Sequence, residues 1–174
     1  MRGAKTLSIL LMLVAVGSCK PAASEPTTVF IIRHAEKADN SDDPPLAPAG
    51  MERAQALVRV AGDAGVKAIY SSQFKRNLDT VRPLADHLKI PVTEMAVTLD
   101  NPGDYGKELA RAVLDKHAGE TIVVVSHRNT IPAIIEGLSG KAGQETTGDA
   151  YNDLFIVLIP AKGEARLIKA QYGQ

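Results

Sequence analysis

Residues 29–37 decide the fold, because an apolar run passes there directly into charged residues. The segment reads Val-Phe-Ile-Ile-Arg-His-Ala-Glu-Lys. A continuous run of β-branched and aromatic residues is typical of a strand that is buried on both faces. The carboxyl end of such a strand lies at the rim of an open α/β sheet, where ligands bind. We therefore predict that Arg33 and His34 lie at a binding site.

Similar patterns along the chain extend this strand into a sheet. A second apolar run, residues 121–125, ends at Ser126 and His127. Shorter runs predict strands at residues 66–71 and 90–93, and residues 154–159 and 165–168 predict a closing hairpin at one edge. Between the strands, apolar positions spaced by three and four predict amphipathic helices, one of them capped by Asp104. Alternating strands and helices predict an α/β domain with a mainly parallel central sheet and helices on both faces.

The composition bounds the size of the domain and the kinds of partner. The chain has 174 residues, of which 45% are apolar, and this suffices for one globular domain with a full core. Twenty basic and twenty acidic residues give no net charge that would attract nucleic acid or anionic lipid. We predict no nucleic-acid partner, so any ligand must be recognised by local clusters of charge.

The amino terminus has the pattern of an export signal. Arg2 and Lys5 precede an apolar run over residues 7–16, which is shorter than the roughly 20 residues of a membrane-spanning helix. Val16-Gly17-Ser18 before Cys19 resembles the lipobox of bacterial lipoproteins, in which the cysteine is acylated. Lipidation would also account for a single cysteine in an exported chain, because one thiol cannot form an internal disulfide.

These patterns divide the chain into three parts. Residues 1–18 are predicted to be a signal peptide, residues 19–27 to be the lipidated Cys19 and a linker, and residues 28–174 to be the folded domain. The predicted location is the cell envelope, on the periplasmic side of a membrane, with the lipid as the membrane anchor.

Two of the four histidines stand out by their positions. His87 and His117 lie near predicted helix ends, where a histidine interacts favourably with the helix dipole. His34 and His127 instead follow directly on buried strands, and Arg76 comes shortly after the strand at residues 66–71. We therefore predict that Arg33, His34, Arg76 and His127 meet at one rim of the sheet. Forked arginine donors match the oxygens of a tetrahedral phosphate dianion.

A metal site is the competing interpretation of these histidines. Two histidines with Glu36 or an aspartate could hold zinc. Flanking arginines argue against it, because their positive charge repels a divalent cation. We therefore predict an anion site that uses no metal and no other cofactor.

The residues of this cluster resemble those of a known family. The segment from Arg33 to Lys37 resembles the Arg-His-Gly motif of the histidine phosphatase superfamily, also called phosphoglycerate-mutase-like, in its Arg-His-Ala-Glu-Lys form. Residues 72–76 with Thr80 are similar to the family's second segment, and residues 126–129 to the segment with its second histidine. The resemblance covers residues 28–160 and implies a three-layer α/β/α sandwich.

The resemblance also implies a chemistry. His34 would attack phosphorus and become a phosphohistidine, while Arg33, Arg76 and His127 would bind the phosphoryl oxygens. The expected activity is hydrolysis of phosphomonoesters or phosphoramidates, on a phosphorylated small molecule or a phosphoprotein. The alternative is a non-catalytic lipoprotein that binds an anionic ligand in the same pocket.

The chain departs from the family pattern at the general acid. Many members carry an acid after the third strand or directly after the second histidine, whereas His127 is followed here by Arg128. Glu94, Asp100 and Asp104 lie in the right region of the chain and are the candidates. The choice among these three acids, or none of them, stays open at this point.

The lipid anchor leads to the first testable prediction. Replacing Cys19 by Ser removes the thiol that would be acylated, so the protein should become soluble or remain unprocessed. Membrane fractionation of cells that express the wild type and Cys19→Ser measures this. Unchanged membrane association of the variant would contradict the prediction.

Overall fold

The computed structural model describes residues 25–98, 100–144, 146 and 150–173. The predicted signal peptide and Cys19 lie outside these residues. Six strands and four helices follow one another within the described residues. Their bounds are β1 Thr27–Arg33, α1 Pro48–Ala61, β2 Val66–Ser71, α2 Lys75–Leu88, β3 Val92–Glu94, α3 Pro102–Lys116, β4 Thr121–Ser126, α4 Ile131–Ser139, β5 Asp153–Ile159 and β6 Arg166–Gln171.

The strands form one sheet in the order β3-β2-β4-β1-β5-β6. The four strands from β3 to β1 are parallel to one another, and β5 and β6 are added at one side as antiparallel strands. The prediction of a mainly parallel sheet with a closing hairpin at one edge is therefore confirmed.

Helices cover both faces of the sheet and enclose two separate cores. One core lies under α3 and α4 and includes Leu109, Ile134 and Phe155. The other lies under α1 and α2 and includes Leu57, Leu84 and Val125. Strand β4 contributes alternate residues to the two cores, which explains why it is apolar throughout. The predicted three-layer α/β/α architecture is confirmed.

Two details of the predicted elements were wrong. Helix α3 is capped by Asn101, whose side-chain oxygen accepts a hydrogen bond from the backbone N–H of Asp104. Asp104 itself lies in the first turn, because Pro102 is already helical and proline is well suited to the first helical position. Strand β3 begins at Val92, two residues later than predicted, and pairs with only three residues of β2.

No helix among the described residues has the length and apolar character needed to cross a membrane. Helix α2 contains Pro83 and continues through it.

Gly106 allows α3 and α4 to approach closely, and this can be tested. A Cβ at Gly106 would lie 2.6 Å from Ala133 Cβ and 2.9 Å from its carbonyl carbon. Backbone atoms cannot move aside cheaply, so Gly106→Ala should lower the free energy of unfolding by about 1–3 kcal/mol, despite alanine's better helix propensity.

Gly103→Ala is the matched control, because a Cβ there would meet only Asn101 Oδ1, at 3.8 Å. It should leave stability unchanged or raise it by up to about 1 kcal/mol. Urea unfolding of both variants measures the difference, and equal stability of the two would refute the close packing.

Candidate functional site

The pairing of β1 with β4 brings the two strand-end histidines together. Arg33 lies opposite Ser126 in the parallel ladder, and the N–H of His34 donates to the carbonyl of Ser126 over 3.0 Å. The rings of His34 and His127 are 5.5 Å apart, edge to face, and each residue is only 5% exposed. The sheet therefore presents two buried imidazoles side by side at its carboxyl rim.

The hydrogen bond of His34 fixes which ring nitrogen is free. Nδ1 lies 2.9 Å from the carbonyl oxygen of Ala35. A carbonyl can only accept, so Nδ1 carries the hydrogen and donates it. In the neutral ring, Nε2 then keeps its lone pair and is the nitrogen that is free to accept a hydrogen bond or to act as a nucleophile.

The surroundings keep both rings neutral. Burial, the largest effect, lowers the pKa of His34 to about 4, and the charge of Arg76 and of Arg33 acts in the same direction. Burial also lowers the pKa of His127 to about 3, with His34 and the same two arginines adding to it. At neutral pH both imidazoles are thus uncharged and available to bind or to attack.

A hydrogen-bonded turn holds His127 in place. Its Nε2 is 2.9 Å from the hydroxyl of Ser72, which follows β2 and is fully buried. Thr130 Oγ1 donates to the carbonyl of His127 and accepts from its N–H, at 2.9 and 3.0 Å. Since that hydroxyl has a single hydrogen, Ser126 must donate to Thr130 across their 2.6 Å contact.

The two arginines supply the positive charge of the site. Arg33 and Arg76 both act electrostatically on His34 and on His127. The side chain of Arg76 is 12% exposed, and burial lowers its pKa. The structure therefore brings together all four residues that the sequence analysis singles out.

Thr80 connects the nucleophile segment to the arginine on α2. Its hydroxyl donates to the carbonyl of Arg76 over 2.6 Å and accepts from the N–H of Ala35 over 2.9 Å. One buried hydroxyl thus joins the residue next to His34 to the backbone of Arg76. This link fixes the spacing between the histidine and the arginine.

Glu36 is held away from the histidines by Arg53. The Nε atom of Arg53 lies 3.0 Å from each carboxylate oxygen of Glu36, and its Nη2 lies 2.6 Å from one of them. Arg53 Nη1 donates to the carbonyl oxygens of Tyr172 and Gly173. Glu36 therefore braces the segment after His34 against α1 and the end of the chain, instead of extending into the loop or pairing with Lys37.

Two aromatic residues that the sequence analysis missed line the arginines. The ring of Tyr151 lies 4.0 Å from the guanidinium carbon of Arg33 and 5.9 Å from the ring of His34. The ring of Phe74 lies 4.4 Å from the guanidinium carbon of Arg76 and 5.3 Å from the ring of His127. Phe74 lies within a quoted motif, but nothing in the sequence indicated that residue 151 reaches the site.

A loop carboxylate also reaches the site. Asp43, from the polar loop after β1, lies 3.7 Å from Nη1 of Arg76 and accepts a 2.9 Å hydrogen bond from the N–H of Lys75. This loop therefore contacts the start of α2. Asp43 was not among the predicted site residues.

The three candidate acids are exposed. Glu94 ends the edge strand β3, Asp100 lies in a turn, and Asp104 is hydrogen-bonded to Asn101 at the start of α3. None of the three is among the groups that shift the pKa of His34 or His127. Arg128 is also exposed.

Within the described ranges, no group of three or more His, Cys, Asp or Glu side chains is placed to hold a metal ion. A groove of about 500 Å³ lies between α1 and α2, lined among others by Leu46, Met51 and Pro83. Its lining includes none of the four clustered residues. We assign the candidate site to the strand ends because the reactive side chains lie there.

Comparison with known proteins agrees with this geometry. Residues 29–97 match the family model of the histidine phosphatase superfamily (branch 1). The matched segment contains Arg33, His34 and Arg76, and it ends before His127. No protein of curated function matches the chain in sequence.

Several solved structures share the fold. YhfR from Bacillus stearothermophilus superposes with a TM-score of 0.64 at 18% identity, covering 81% of this chain and 95% of that one. The protein histidine phosphatase SixA, solved with tungstate, gives 0.60 at 18% identity, covering 83% and 96%. A mycobacterial glucosyl-3-phosphoglycerate phosphatase gives 0.64 at 14% identity, covering 86% and 99%. At these identities the likeness shows the fold.

The buried neutral histidines make stability depend on pH. Their pKa is about 4 and about 3 in the folded protein, against 6.5 for a free histidine. As the pH falls below 6.5 the unfolded chain binds protons that the folded chain does not, so stability is present above pH 6.5 and is lost on acidification toward pH 4. Between pH 7 and pH 5 the expected loss for the two histidines together is about 2–4 kcal/mol.

Urea unfolding at pH 7 and pH 5 measures this loss. His127→Asn serves as the comparison, because it removes one titrating group and should reduce the difference between the two pH values. The prediction fails if wild type and variant lose the same stability on acidification.

Proposed function

We propose that the protein is a phosphatase that works through a phosphohistidine on His34. The observation that carries the proposal is the state of that residue: a buried, uncharged imidazole with its Nδ1 hydrogen donated to Ala35. A nitrogen nucleophile of this kind beside two guanidinium groups suits transfer of a phosphoryl group. The match of residues 29–97 to the histidine phosphatase superfamily supports the same conclusion.

Each residue of the cluster has a proposed role. Nε2 of His34 attacks phosphorus, and water then hydrolyses the resulting phosphohistidine, so one difficult step is divided into two easier ones. Arg33, Arg76 and His127 bind the phosphoryl oxygens, whose charge is spread in a loose transition state. Positioned positive charge then supplies most of the catalysis, and the reaction needs no metal.

The carboxylate of Asp43 would respond to the binding of substrate at Arg76. Before substrate binds, Asp43 partly neutralises Arg76. A phosphoryl dianion at Arg76 would repel Asp43, so substrate binding should move the loop. The loop after β1 thus belongs to the phosphate pocket, although its exposed carboxylate contributes little to stability.

The substrates that we propose are phosphomonoesters or phosphoramidates, on a small molecule or a phosphoprotein. Similar structures include a protein histidine phosphatase and a glucosyl-3-phosphoglycerate phosphatase, so the fold accommodates both kinds of substrate. We also propose that the protein acts in the cell envelope, anchored through Cys19, on the basis of the amino-terminal sequence.

Substitution of the nucleophile tests the mechanism. His34→Ala should lower phosphate release from p-nitrophenyl phosphate by about 10³-fold or more and abolish acid-labile phosphorylation of the protein. His87→Ala is the control, since His87 is an exposed residue near the end of α2. Wild-type activity should persist in a chelator, and a fully active His34→Ala would refute the mechanism.

A non-catalytic anion-binding lipoprotein is the alternative. The buried Arg76 and His127 would suit such a role as well. Binding of phosphate or vanadate to the wild type without turnover of any phosphorylated compound would favour it over the phosphatase.

A further inference from the structure

We propose that Tyr151 is a catalytic residue of the phosphatase site, with separate roles for its ring and its hydroxyl. The proposal rests on the proposed function and supplies the proton donor that the three exposed acids do not provide. The ring would hold Arg33 in position, and the hydroxyl would protonate the leaving group.

The contacts of the ring support the first role. Tyr151 lies over the guanidinium group of Arg33 at 4.0 Å and close to the ring of His34 at 5.9 Å. When a guanidinium group stacks on an aromatic ring, the ring covers one of its two faces, and its N–H groups point outward in the guanidinium plane. Tyr151 therefore limits the orientations in which Arg33 can meet a phosphoryl oxygen.

The place of the side chain supports the second role. The ring of Tyr151 contacts both Arg33 and His34, and its phenol group acts electrostatically on Arg76. Tyr151 is half-buried, so a bound substrate can reach it. A phosphoryl group that is bound by Arg33 and attacked by His34 would therefore lie beside Tyr151.

The fold explains how residue 151 reaches this place. Strand β5 runs antiparallel to β1, with Leu154 opposite Ile32. The start of β5 therefore lies at the same rim as the end of β1. Tyr151 comes two residues before β5 and therefore lies beside Arg33 and His34.

The proposed chemistry balances over two steps. In the first, Nε2 of His34 forms a bond to phosphorus, the bond from phosphorus to the leaving oxygen breaks, and that oxygen takes the phenolic proton of Tyr151. In the second, water attacks phosphorus and gives one proton to the phenolate, and the bond from phosphorus to nitrogen breaks. Phosphate is released, and His34 and Tyr151 return to their starting states.

Phe74 offers a comparison within the same site. It covers Arg76 and touches His127 much as Tyr151 covers Arg33 and touches His34. It has no hydroxyl, so it can position an arginine but cannot donate a proton. The two aromatic residues thus share the positioning role, and only Tyr151 can protonate a leaving group.

Two substitutions at residue 151 separate the roles. Tyr151→Phe removes the hydroxyl and keeps the ring, whereas Tyr151→Leu removes both. The experiment measures kcat/KM of each variant on a series of aryl and alkyl phosphates with increasingly poor leaving groups. General acid catalysis raises the rate by about 10²–10⁴-fold. We therefore expect Tyr151→Phe to lower kcat/KM by about 10²-fold or more on alkyl phosphates and by less than about tenfold on p-nitrophenyl phosphate.

The kcat/KM of Tyr151→Leu should be lower than that of Tyr151→Phe by a factor that is the same for every substrate, because loss of the ring weakens phosphate binding by Arg33. Tyr70→Phe is the control: it removes a phenol hydroxyl that is hydrogen-bonded to His117, and should leave the series unchanged. Thermal unfolding of each variant checks that it is folded.

The outcomes distinguish this proposal from the proposed function. If the wild type hydrolyses the series and forms a phosphohistidine, but Tyr151→Phe is unchanged or loses equally on every substrate, the proton-donor role is overturned and the phosphatase stands. If the wild type shows no turnover and no phosphohistidine, the proposed function fails and the proposal falls with it.

Discussion

The backbone hydrogen bond from His34 to Ser126 is the contact on which the site depends. It extends the β1–β4 ladder by one residue beyond the strands and joins the two segments that carry the histidines. Because it is a backbone contact between neighbouring parallel strands, the spacing of the two imidazoles is set by the sheet itself. The side-chain contacts of Ser72, Thr80 and Thr130 then fix orientations on that frame.

The electrostatics of the site follow from putting two imidazoles and two guanidinium groups in a largely buried space. Burial disfavours charge on the histidines, and the arginines add to that effect. The arginines retain their charge because guanidinium groups stay protonated in proteins. The result is a pair of uncharged imidazoles beside fixed positive charge, an arrangement that is suited to a phosphoryl dianion and unsuited to a metal cation.

Support for the nucleophile segment comes from several directions. Thr80 ties it to α2, and the Glu36–Arg53 pair ties it to α1 and to the carbonyls of residues 172 and 173. Gly50 adds a backbone contact, since a Cβ there would lie 2.3 Å from the carbonyl oxygen of Glu36. The segment after His34 is therefore held at both its backbone and its side chains, so the position of the His34 imidazole is fixed.

The sequence by itself determined the class of fold, the order of the elements and the four residues at the strand ends. This was possible because apolar runs and helical spacing indicate which residues of a contiguous segment are buried. The residues that follow a buried strand must then lie at the rim of the sheet. Even so, local pattern misplaced the cap of α3, since Asn101 and Asp104 are both capable of capping and only the backbone decides between them.

Only the tertiary structure decided which residues pair with Glu36, which ring nitrogen of His34 is hydrogen-bonded, and that Tyr151 lies at the site. Arg53 and the chain end lie far from Glu36 in sequence, and the hydrogen-bonded nitrogen of His34 depends on a single carbonyl. Residue 151 reaches the site only because β5 is antiparallel and adjacent to β1. The direction and neighbour of a strand are set by packing across the whole sheet, and no local pattern of residues encodes them.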